Sequence, residues 1–107
     1  MSVEKFMDNI DYVREKLSRP DQVAQLAEEA SELCHAALKL ERVLRGTNPT
    51  PVTELEALFK VVDETADVLN ALEVLGIEDE YAIRIKMERF EKMDRWVERL
   101  QKREADA

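Results

Sequence analysis

Three short breaks divide this chain into long stretches whose apolar residues return at alternating three- and four-residue steps. That period lays one apolar stripe along an α-helix. The breaks are Ser18-Arg19-Pro20-Asp21, Gly46-Thr47-Asn48-Pro49-Thr50 and Gly76. Two glycines and three prolines in 107 residues leave few turns, and a sheet protein of this size needs more. The expected fold class is therefore all-α, as one domain over residues 1–107. The layout is a four-helix bundle-like chain, with helices over about 3–17, 20–45, 51–75 and 78–102.

Each helix has an expected seam. Val3, Phe6, Ile10, Val13 and Leu17 line the first, and Leu26, Ala30, Leu33, Ala37, Leu40 and Leu44 line the second. Leu55, Leu58, Val62, Thr65, Leu69 and Leu72 line the third, and Ile83, Phe90, Met93, Val97 and Leu100 the fourth. Ser18 with Asp21 resembles a capping box, and Gly46 and Gly76 suit left-handed helix termini. Either Thr50-Pro51 or Thr53 with Glu56 opens the third helix. Arg103 to Ala107 have no apolar anchor and are expected to fray. A helix of about 25 residues is roughly 38 Å long. Such long helices around a thin core leave apolar surface over, so a second copy is expected to complete the bundle as a homodimer or homotetramer.

Charge narrows the function. Lys and Arg total 16 against 24 Asp and Glu, a formal net charge of -8. That balance repels phosphate backbones and anionic lipid heads, so nucleic acid and membrane are not expected partners. The lone Cys34 excludes an internal disulfide, and no signal-peptide core or membrane-length apolar run is present. A cytoplasmic location follows as the expectation.

The chemistry starts with Glu28-Glu29-Ala30-Ser31-Glu32. At about 100° per residue, Glu29 and Glu32 lie about 60° apart and flank seam positions. On the third helix, Glu64 interrupts the row Ala57, Val61, Val68, Ala71 and Leu75. A bare carboxylate there costs several kcal/mol unless protonated, paired or metal-bound. Asp67 lies one turn on, and Asn70 continues its line as a substrate-contact candidate. In an antiparallel hairpin, Glu29, Glu32, Glu64 and Asp67 can converge. Such an oxygen-only set with no matching basic cluster asks for Mg²⁺ or Mn²⁺. The bland alternative is a solvated acidic helix face.

Other residues carry two readings each. Lys86 is either a snorkelling lysine or a cation aimed at phosphate, with Arg89, Lys92, Arg95 and Arg99 adding charge nearby. Trp96, Phe59 and Tyr81 either stack on a base or pack. Glu32-Leu33-Cys34-His35 matches the Glu-x-x-His spacing of di-metal carboxylate bundles but leaves Glu28, Glu29 and Asp67 unexplained.

The paired motifs Glu28-Glu29-Ala30-Ser31-Glu32 and Glu64-Thr65-Ala66-Asp67 resemble those of the all-α nucleoside triphosphate pyrophosphatases of the MazG type. Leu26-Ala27 before the first and Val68-Leu69 after the second are also similar, and the likeness spans roughly Val23 to Arg99. The resemblance implies a Mg²⁺-dependent enzyme that cleaves an NTP or dNTP to a nucleoside monophosphate and pyrophosphate. It implies that Glu29, Glu32, Glu64 and Asp67 hold the metal and that Glu28 either supports those ligands from behind or orients the attacking water. Lys86 is similar in place to a family lysine that contacts phosphate, whereas His35 lies outside the motif. No Gly-rich phosphate loop is present, so metal bridging has to replace it. The rivals are phosphoribosyl-ATP pyrophosphatase-like or dUTPase-like activity and a non-enzymatic helical interaction module.

Overall fold

A computed structural model describes residues 2–48 and 51–107. They form five α-helices and no strand: α1 (Val3–Lys16), α2 (Arg19–Arg45), α3 (Glu54–Leu75), α4 (Ile77–Glu80) and α5 (Ala82–Asp106). The helices fall into two units, the first ending at Gly76 and the second starting at Ile77.

Local chemistry sets the helix ends. The hydroxyls of Ser2, Ser18 and Thr53 accept hydrogen bonds from the Lys5, Asp21 and Glu56 amides at 3.0, 3.2 and 3.1 Å. Each satisfies an amide that the first helical turn leaves orphaned. Thr53 therefore opens α3, which starts at Glu54 and not near 51. The Thr50 alternative lies outside the described residues. Gly46 and Gly76 take φ of 74° and 73° and end α2 and α3. The stretch expected as one helix over 78–102 is instead two, broken at Tyr81 (φ -116°, ψ 27°). No glycine or proline marks that break, so punctuation does not reveal it. The expected fraying of 103–107 is also corrected. Arg103, Glu104 and Ala105 are good helix formers, and α5 runs through to Asp106.

In the first unit, α2 and α3 pack as an antiparallel hairpin. The α2 seam is Gln22, Leu26, Glu29, Leu33, Ala36, Leu40 and Val43, all buried or half-buried. Its counterpart on α3 is Ala57, Val61, Glu64, Val68, Ala71 and Leu75. The expected seams hold in part, with Leu26, Leu33 and Leu40 inside on α2 and Leu72 half-buried on α3, and are otherwise corrected by one position. Ala30, Ala37 and Leu44 are exposed, and so are Leu55 at 59%, Val62 at 53%, Leu58, Thr65 and Leu69. Ala36, Ala57 and Ala71 at the seam let the two backbones approach closely, and the bulkier row stays outside.

The hairpin consequently has two unlike faces. Positions one residue after each seam carry Val23, Ala27, Ala30, Ala37 and Leu44, with Leu55, Leu58, Val62 and Leu69. Positions one residue before carry Glu28, Glu32, His35 and Lys39, with Lys60, Asp67 and Asn70. In an antiparallel pair, each of these offsets turns both helices' rows to the same side.

Helix α1 is tied to the hairpin by side chains on helix ends. Arg14 donates through Nε and Nη2 to the Val74 and Glu73 carbonyls at 2.9 and 2.6 Å. Arg19 Nη1 donates to the Leu75 carbonyl at 2.8 Å. These cations meet carbonyls of the last turn of α3, where Glu73 also accepts from the Gly76 amide at 3.0 Å. Gln22 does the same for α1, with Nε2 donating to the Arg14 and Leu17 carbonyls at 3.0 Å each. Ile10 is buried against this junction.

The second unit consists of α4 and α5. On α5, Ile83, Met87, Phe90, Met93, Val97 and Leu100 are all exposed.

Candidate metal centre

Glu29 and Glu32 lie one turn apart on α2, and Glu64 and Asp67 lie one turn apart on α3. The hairpin brings one carboxylate oxygen from each to within 4.8 Å of the others. Glu29 and Glu64 are seam residues, so the packing that closes the hairpin also carries them inward. Glu64 is only 5% exposed. Glu29 is half-buried, and Glu32 and Asp67 are exposed.

Two of the carboxylates are each half satisfied. Glu64 Oε1 pairs with Lys60 Nζ at 2.8 Å, and Glu29 Oε1 accepts from Gln25 Nε2 at 2.7 Å. Glu64 Oε2 and Glu29 Oε2 are buried with no hydrogen-bond partner among the described residues. Buried charged oxygens without partners are costly and rare. A divalent cation bound by oxygen ligands supplies the missing partner, so these residues fit a hard metal ion.

The electrostatics follow the same geometry. The Glu29 charge, burial and the Glu64 charge hold the Glu32 carboxyl above its ordinary pKa, with Glu28 adding to the effect. The Lys60 hydrogen bond draws the Glu64 carboxyl below its ordinary value, against burial, and the same bond raises the Lys60 ammonium. The sequence reading, which found no basic cluster to match the four carboxylates, passes over this single lysine. Lys60 stands four residues before Glu64, a spacing at which helical ion pairs form.

The remaining candidates divide. Glu28 is exposed beside Glu32 and is not one of the four converging groups. Asn70 lines a cavity with Asp67 and Glu29. His35 lines a different cavity with Glu32 and Glu64, and it too stands outside the cluster. Cys34 is exposed. Lys86 is on α5 in the second unit, with Nζ 5.8 Å from the centre of the Phe90 ring. Arg89, Lys92, Arg95 and Arg99 are exposed on the same helix. Sequence reasoning passes over Lys39, Lys60, Gln22 and Gln25, all of which border the cluster's surroundings. No helix among the described residues is long and apolar enough to cross a membrane.

Comparison with family models, curated proteins and solved structures gives no match for this chain.

Proposed function

We propose that the protein is a MazG-like nucleoside triphosphate pyrophosphohydrolase that uses Mg²⁺, or Mn²⁺, to cut an NTP or dNTP between its α- and β-phosphates. The observation that carries this reading is the convergence of Glu29, Glu32, Glu64 and Asp67 around two buried, unpartnered carboxylate oxygens. Mg²⁺ held by these carboxylates would supply the charge neutralisation that a triphosphate needs for attack by water. Without it an acidic surface repels the substrate.

The chain's own residues supply the rest. Glu29, Glu32, Glu64 and Asp67 hold the cation. Glu28 lies beside Glu32 but outside the cluster, so its carboxylate is free to orient water and accept its proton. Hydrolysis forms one bond from the water oxygen to phosphorus and breaks one P–O bond of the anhydride. The electron pair of the broken bond leaves on the departing phosphate oxygen. Asn70, on the cavity beside Asp67 and Glu29, contacts the substrate in this reading. The exposed apolar face of the hairpin supports a homo-oligomer, since Ala27, Ala30 and Ala37 form a low ridge against which Leu55, Leu58 and Val62 of a second copy can pack.

The test is incubation with each NTP and dNTP plus Mg²⁺, with products separated by chromatography. The expected products are a nucleoside monophosphate and pyrophosphate. Orthophosphate as the primary product, or no turnover of any triphosphate, overturns the proposal.

A further inference from the structure

Two cavities follow one another along the hairpin and meet at the carboxylates, and their linings differ in kind. The first, of about 340 Å³, touches Glu29 and Asp67 and extends towards α1. Its walls include Phe6, Ile10, Val13 and Val74, and Gln25 and Asn70 stand at its edge. No Lys, Arg or His lines it. The second, of about 600 Å³, touches Glu32 and Glu64 and extends towards the end of α2. His35, Lys39 and Lys60 line it together with a third carboxylate, Glu56, and no Phe, Tyr or Trp does.

Those linings sort the parts of a nucleotide. Phosphate groups in the first cavity would face carboxylates with no cation from the protein, a strongly unfavourable placement. A nucleoside suits it, because apolar walls with a few fixed polar groups are what small organic ligands occupy. Gln22 adds an independent sign of a ligand there. It lines the same cavity and is 5% exposed. Its Nε2 is held by two carbonyls, while its Oε1 is buried with no partner. An acceptor fixed in this way matches a base edge that offers an N–H. The second cavity differs in having cations of the protein's own beside its carboxylates Glu32, Glu56 and Glu64. Lysine ammonium groups and an imidazole are phosphate partners, and Lys60 already bridges to the carboxylates through its 2.8 Å contact with Glu64.

We infer that the substrate lies along the hairpin in one direction, with its nucleoside in the α1-walled cavity and its β- and γ-phosphates over Lys39, Lys60 and His35. The inference rests on the pyrophosphohydrolase reading and deepens it. The α–β anhydride then sits over Glu29, Glu32, Glu64 and Asp67. Lys39, Lys60 and His35 become the groups that receive the departing pyrophosphate, and the cavity beside α1 becomes the part that selects the base.

Calorimetric titration of each product by itself, in the presence of Mg²⁺, tests this direction. The probes are pyrophosphate and a panel of common ribo- and deoxyribonucleoside monophosphates. Lys39→Gln and Lys60→Gln are expected to weaken pyrophosphate binding about tenfold each and leave the best monophosphate within about twofold. Asn9→Trp and Asn70→Leu change exposed residues on the first cavity and spare the core. They are expected to weaken monophosphate binding by a similar factor and leave pyrophosphate unchanged. Binding of both products to the wild type, with all four variants weakening both equally or in the reverse pattern, overturns the direction and leaves the enzyme reading standing. A wild type that binds neither product overturns both.

Discussion

At the scale of single residues, two carboxylates of the cluster, the exposed Glu32 and the buried Glu64, respond oppositely to their surroundings. The Glu32 carboxyl is raised by its acidic neighbours, so its charge at neutral pH opposes folding. Glu64 is lowered by Lys60, so its charge supports folding even though the side chain is buried. Glu32→Gln is therefore expected to raise the melting temperature in EDTA, and Glu64→Gln to lower it. Both variants should lose the rise in Tm that Mg²⁺ gives the wild type. Thermal melts with EDTA and with Mg²⁺ check the set, and an undiminished Mg²⁺ response in Glu64→Gln removes that residue from the centre. Glu64 shows what spacing can and cannot reveal. Its place in an apolar row makes it conspicuous in the sequence, and its neighbour one turn back, Lys60, is equally readable from the four-residue interval. Gln22 is different. Its role depends on where α1 ends and how α1 meets α2, which no local pattern encodes.

Helix ends and helix faces differ in how far the sequence specifies them. Ser18, Gly46 and Gly76 act within one turn of their own position, so their roles are visible in the text. The buried face is not, because two rows offset by one residue are both apolar on α2 and α3. Hydrophobicity favours the bulkier row, Leu55, Leu58, Val62 and Leu69. Close helix packing favours the row with Ala57 and Ala71, and the structure takes the latter. The ends of α3 give two tests of how the elements are tied together. Arg14→Met removes two charge-assisted bonds to the α3 carbonyls and is expected to cost about 1–3 kcal/mol in urea unfolding. Gly76→Ala is expected to cost about 1 kcal/mol. An added Cβ there meets no atom within 4 Å, so the backbone conformation alone causes the loss. A neutral outcome for Arg14→Met would show that α1 is held by packing and not by these bonds.

Over the whole molecule, the first unit divides its work between opposite faces of the hairpin. One face carries the polar residues and both cavities, and the other is apolar and exposed. An apolar face of this kind is expected to pair with a second copy, so light scattering at micromolar concentration should give a dimer or tetramer. Leu58→Lys with Val62→Lys should shift it to monomer, and a monomeric wild type would contradict the pairing. The oligomer can fail without touching the central claim, that the four convergent carboxylates hold a divalent cation. Calorimetric titration of Mn²⁺ into metal-free protein tests that claim most directly, with the Asp67→Asn and Glu29→Gln variants beside the wild type. The predicted result is saturable binding to the wild type that weakens by at least about tenfold in each variant. No saturable binding to the wild type, or three superimposable isotherms, would contradict it.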